Sequence, residues 1–213
     1  MKPQSLKKQL IQILGVFLLQ QASHAAVVVT GVTATATSNY PTANTDVSFL
    51  VNNSGLSVAD DVTATHSTFG SGPVGWHSQN GVVNDESITL DLHGTYDLAE
   101  IYLWQMNQTS ALGRGVRQFD LLVSTDGGFN YTEVVSDLTL LQALNNGPIG
   151  AQSFALNQSG VTHVRIGIDS SWNGTTNDYV GLNEVKFTAV PEPTAALLGS
   201  LGALSLLRRR RNS

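Results

Sequence analysis

Seven side chains in the middle of this sequence have the chemistry to hold a sugar. Trp76, Trp104 and Trp172 offer flat apolar faces that stack on the C–H face of a pyranose. His77, Asn107, Arg114 and Arg117 offer donors and acceptors for its hydroxyls. Trp172 stands in the polar, glycine-containing run Trp172-Asn173-Gly174, where a loop would expose it. Trp76 precedes the first core-like strand, where a core plug competes with a ligand role. Trp104 alternates with Ile101 and Leu103, so it faces away from a core that those two would enter. Arg114 and Arg117 stand out because basic residues are scarce; a salt bridge to an acid such as Asp120 is their competing role.

Catalytic patterns are missing from the same region. His66, His77, His93 and His163 lack metalloprotease spacing, and neither a Gly-x-Ser-x-Gly elbow nor a Walker loop occurs. The neighbouring acids Asp85 and Glu86 would point to opposite faces of a strand. These features favour a binding protein over an enzyme.

Composition narrows the class. The chain has 213 residues, of which 13% are charged, against ~25% in ordinary globular domains. Between Ala26 and Ala189 only Arg114, Arg117, Arg165 and Lys186 are basic, against fifteen acids, a formal charge of −11. Such a domain repels phosphate backbones, so no nucleic-acid partner is expected. No cysteine is present, which excludes disulfides and thiolate metal sites.

The elements that must position these residues read as short strands. Ser87 to Leu92 alternates, with Ile88, Leu90 and Leu92 on one face. Phe119, Leu121 and Val123 repeat the pattern, as do Val164, Ile166 and Ile168, and then Val185 and Phe187. Turn chemistry separates the runs, as at Ser124-Thr125-Asp126-Gly127-Gly128. Only Leu138 to Leu144 suggests a short helix. The expected fold is all-β, an antiparallel β-sandwich over residues 45–189, with residues 26–44 as an N-terminal strand or lead-in.

Both ends carry addressing chemistry. Residues 1–25 combine Lys2, Lys7 and Lys8 with a short apolar run and Ser23-His24-Ala25, the layout of a secretory signal cut by signal peptidase before Ala26. At the other end, Pro191, Glu192 and Pro193 precede the uncharged stretch Thr194 to Leu207 and then Arg208, Arg209, Arg210 and Arg211. Helices are expected in the signal and in the C-terminal hydrophobic segment. The arginines would hold the tail at the cytoplasmic side of a membrane, with the globular part outside.

Two resemblances extend this reading. Residues 190–213 resemble a PEP-CTERM sorting signal, which implies an exosortase-type partner, cleavage near Pro191-Glu192-Pro193, and delivery to the cell surface or extracellular matrix. Residues 45–188 resemble the discoidin, or coagulation-factor type C, domain. The residues that carry this are Ser87 to Leu92, Leu98 to Trp104, Arg114 to Phe119, Val123 to Gly128, His163 to Ile166 and Gly181 to Phe187. The resemblance implies a galactose-binding-like jelly roll used for carbohydrate or surface recognition. It also implies a structural calcium between an N-terminal turn and the last strand, at Asn53 (with backbone oxygens near Asn52 and Leu56) and Glu184, with Asp60 or Asp61 adding charge. The expected function is an exported surface or matrix module that binds polysaccharide; the alternative is a structural matrix protein that contacts other surface proteins without a sugar.

Overall fold

A computed structural model describes residues 26–41, 45–68, 75–144 and 147–191. The stretches expected to be a signal peptide and, beyond Pro191, a sorting segment, with the helices expected in them, lie outside the described residues. The strands are β1 (Val27–Val28), β2 (Thr33–Ala36), β3 (Trp76–His77), β4 (Gly81–Val82), β5 (Ser87–Gln105), β6 (Val116–Ser124), β7 (Thr132–Thr139), β8 (Gln152–Ser171), β9 (Thr176–Asp178) and β10 (Gly181–Ala189). All the strand pairs are antiparallel. Among the described residues there is no α-helix, only single 3-10 turns at Val47–Leu50, Val83–Asp85 and Leu112–Arg114.

Two long strands build both layers. The first part of β5, Ser87 to Asp91, lies between β2 and the second part of β8, which in turn pairs with β6. The second part of β5, Leu98 to Gln105, lies between β10 and the first part of β8. Each strand therefore passes from one sheet to the other, and its register breaks where it turns the corner. His93 (φ 50°) marks the β5 corner, and Asn157 (φ 49°) and Gly160 (φ 70°) mark that of β8. The strained His93 is pinned: its N–H donates to Asp91 Oδ1 at 2.8 Å, and its ring meets Thr33 Oγ1 at 2.9 Å.

The period-2 pattern sends its apolar set inward as expected. Ile88, Leu90, Leu92, Ile101, Leu103, Phe119, Leu121, Val123, Val164, Ile166, Ile168, Val185 and Phe187 are all buried in one core. Each contributes about 1.5–3 kcal/mol of burial free energy. The lead-in belongs to the sandwich, since β2 pairs with β5 and β1 pairs with the end of β10, Val27 opposite Ala189. The first and last described residues thus meet at one edge.

Two expectations need correction. Leu138 to Leu144 is not helical: β7 runs to Thr139, and Leu140 N–H still donates to Arg117 O at 2.9 Å. This backbone bonding to β6 keeps the segment extended. The face away from the core, expected to make Trp104 available to a ligand, is not open either. All nine residues of β10 are buried, because residues 47–66 form a roof over that face. Trp104 lies beneath this roof and donates its indole N–H to Ala64 O at 2.9 Å.

Candidate functional site

The start of β10 organises a cleft. Gly181 pairs with His77 and Leu182 with Trp76. A Cβ on Gly181 would come within 2.5 Å of His77 Cδ2 and 2.6 Å of Met106 Sδ, so only glycine lets the imidazole lie against this strand. Tyr40 N–H donates to His77 O at 2.8 Å, which ties the lead-in to β3. Arg114 ends the Leu112–Arg114 turn and extends over the Tyr179 ring, with Cζ 4.7 Å from its centroid. Its Nε is 3.5 Å from Asp178 Oδ1. The Tyr40 ring meets Tyr179 edge to face, with centroids 5.2 Å apart. Together Tyr40, Thr45, His77, Gln108, Arg114 and Tyr179 line a cleft of about 260 Å³.

Its polar groups suit a neutral, hydroxyl-bearing ligand. His77 is held down at about 4, first by burial and then by the Arg114 charge, so the imidazole is neutral at physiological pH. The ring Nε2 lies 3.1 Å from Met106 Sδ. Gln108, partly buried, adds an amide side chain to the lining, with its Oε1 turned out of solvent and without a hydrogen-bond partner. Two tyrosine rings, one oriented guanidinium and one amide are equipment for binding by stacking and hydrogen bonding.

The seven sequence candidates divide. His77 and Arg114 reach the cleft. Trp76, Trp104 and Asn107 have no accessible surface, so none presents a face or an amide to a ligand. Each instead satisfies a loop backbone: Trp76 Nε1 donates to Ser38 O at 3.0 Å, Trp104 Nε1 to Ala64 O at 2.9 Å, and Asn107 Nδ2 to Gly147 O at 2.9 Å. Arg117 and Trp172 form a separate stack outside the cleft lining, with Cζ 5.1 Å from the ring. Trp172 is half-buried and donates Nε1–H to Leu140 O at 3.2 Å.

Sequence reasoning missed Tyr40, Gln108, Asp178 and Tyr179. Tyr179 had a signal, since it follows the polar run Asn177-Asp178 in a loop as suited to exposing an aromatic as that of Trp172. Tyr40 lay in the stretch read as a lead-in.

The proposed calcium residues do converge. Asn53, in a left-handed conformation (φ 67°), donates its N–H to Glu184 Oε1 at 3.2 Å, and its Oδ1 accepts from Asp60 N–H at 2.9 Å. At their centre, however, stands Lys186, whose Nζ is 3.2 Å from both Glu184 Oε1 and Asp60 Oδ1. Asp61 turns away to accept from Thr63. Burial lifts the Glu184 carboxyl to about 7, with Lys186 the main opposing influence. Among the described residues no group of three or more acid or imidazole side chains is arranged to hold a metal. The Lys186 ammonium bridges the two carboxylates through Glu184 Oε1 and Asp60 Oδ1, in the space a divalent cation would need, and leaves Glu184 Oε2 buried without a hydrogen-bond partner.

All four basic residues of the domain are thus occupied. Arg165 lies over Tyr131 at 3.8 Å, Arg114 and Arg117 cover their own rings, and Lys186 is paired with acids.

Comparison with known proteins places the fold. No protein-family model and no curated protein matches the sequence. Solved structures do match. The F5/8 type C domain of a Bacteroides fragilis protein superposes with a TM-score of 0.55 at 15% identity, covering 79% of this chain and 98% of that one. The family 32 carbohydrate-binding module of Clostridium perfringens NanJ, solved with galactose, gives 0.53 at 12% identity over 77% and 99% of the two chains. The fifth family 32 module of a C. perfringens family 89 glycoside hydrolase, solved with GalNAc-β-1,3-galactose, gives 0.52 at 18% identity over 76% and 99%. The described domain therefore has the discoidin-like, galactose-binding-like β-sandwich fold.

Proposed function

We propose that this domain is a carbohydrate-binding module of an exported surface protein, and that the cleft between Tyr40, Tyr179 and Arg114 receives the sugar. The observation that carries the reading is the Arg114–Tyr179 stack set beside the Tyr40 ring in the cleft wall. A pyranose placed there stacks an apolar face on tyrosine, while the guanidinium and the amide take its hydroxyls. Fold neighbours solved with galactose and with a galactose-containing disaccharide make these the first ligands to test. The secretory layout of residues 1–25 and the Pro-Glu-Pro, apolar and arginine order of residues 190–213 support export and surface sorting.

A glycan array with the full-length chain, run beside Arg114→Ala, tests the binding. Retention of galactosides by the wild-type chain, lost in the variant, supports the site. Equal retention by both moves the site elsewhere, and no retention of any glycan removes the carbohydrate reading. N-terminal sequencing of the secreted protein is expected to start at Ala26.

A further inference from the structure

We propose that Lys186 is the resident cation of this domain, doing by covalent attachment what a bound calcium would do, so that the fold needs no metal. The Lys186 side chain is only 5% exposed and that of Glu184 not at all, while Asp60 lies at the rim. Their contacts join three separate pieces of chain: the turn at Asn53, the loop at Asp60 and the last strand. Asn53 N–H and Lys186 Nζ both engage Glu184 Oε1, and Asn53 Oδ1 takes the Asp60 N–H. A divalent ion between an oxygen-rich turn and a strand carboxylate would tie the same pieces together.

The two cations exclude each other. A calcium bonded at ~2.4 Å to Glu184 Oε1 would stand less than about 6 Å from the ammonium, and the two would repel in a site that water reaches poorly. The lysine cannot simply withdraw, because its stem is packed under the roof and its backbone is in register with Tyr102. The tether also lies where the roof needs it. Glu184 is the register partner of Trp104, whose indole is covered by Ala64 of the same loop.

The test is thermal unfolding and calcium titration calorimetry of the full-length chain in mild detergent at pH 8, in millimolar EDTA or calcium. The expected result is a wild-type Tm that is the same in both and no heat of calcium binding. Lys186→Met is expected to lower Tm in EDTA by roughly 10 °C, because two carboxylates lose their counter-charge. Calcium should restore part of that loss by entering the vacated position. Should Lys186→Met not fold, the uncharged combination Asp60→Asn, Glu184→Gln, Lys186→Met keeps the comparison open, with a Tm independent of calcium. A wild-type chain that binds one equivalent of calcium with a rise in Tm overturns the proposal, as does a Lys186→Met chain as stable as wild type in EDTA.

Discussion

The guanidinium of Arg114 lies 4.7 Å from the centre of the Tyr179 ring, and its Nε points at Asp178 Oδ1 from 3.5 Å. The stack fixes a cation that is otherwise a third exposed, and it orients the ring wall of the cleft. Arg114→Lys keeps the charge but loses the flat fork, and Tyr179→Ala removes the wall. Each is expected to weaken galactoside binding at least about tenfold by calorimetry. Because an exposed cation–π pair contributes only about 0.5–1 kcal/mol, Tm should move by a few degrees at most. Unchanged affinity in both variants would relocate the site.

Two of the three tryptophans have no solvent-accessible surface, and only Trp172 is partly open. Acrylamide is therefore expected to quench about one third of the native tryptophan fluorescence readily. Trp172→Phe should abolish that accessible fraction while leaving cleft binding intact. A large quenchable fraction in that variant would mean the roof over Trp104 opens in solution.

Stability should depend on pH through two opposed groups. His77 sits at about 4 instead of 6.5, so between these values the unfolded chain binds a proton that the folded chain refuses. Its contribution is fully present above pH 6.5 and is lost as the pH falls toward 4, on the order of 3 kcal/mol in all. Glu184 runs the other way. Its folded carboxyl holds a proton up to about 7 against an ordinary 4.5, so stability declines as the pH rises from 4.5 through 7. In their shared window the two oppose each other, and His66, also held down by burial, adds to the His77 side, so wild-type stability should rise only gently with pH between about 5 and 6.5. His77→Asn should expose the Glu184 slope, and Glu184→Gln the His77 slope. Denaturant titrations at three pH values read this directly; identical slopes in wild type and His77→Asn would contradict it.

Gly181 is the narrowest point behind the cleft. Gly181→Ala forces its methyl onto His77 and Met106 and should cost about 1–3 kcal/mol, with a matching loss of sugar affinity as His77 shifts. Gly81→Ala meets nothing within 4 Å and serves as the silent control, within about 0.5 kcal/mol. Equal denaturation midpoints for the two variants would show that this contact is softer than its geometry.

How far the sequence could be read followed from which forces act locally. Ile88, Leu90 and Leu92, like Val164, Ile166 and Ile168, alternate because one face of a strand meets a core, and all six are buried. The same logic failed for Trp104. Alternation says which face a residue takes, but not that a loop forty residues earlier covers that face. The sequence offers Asn53, Asp60 and Glu184 as a group of oxygen donors, but the cation that joins them is Lys186, two residues along the same strand. A strand places residues i and i+2 on one face, so that neighbour was legible in principle. Tyr40 and Tyr179 come together only through the register of β3 on β10, which no local pattern encodes.

The position of the cleft along β10 sets how the domain would bear a load. His77 faces the first residue of that strand, whereas β1 and the outgoing chain meet its last. Eight residue steps separate them by roughly 26 Å. Were the chain held at Val190, a ligand in the proposed cleft would pull from the opposite pole, along the strand axis. The load would then run along the covalent backbone of β10 itself, from Gly181 to Ala189, and the rungs to β5 would carry little of it. A domain strung in this way resists drag while its mouth stays turned outward.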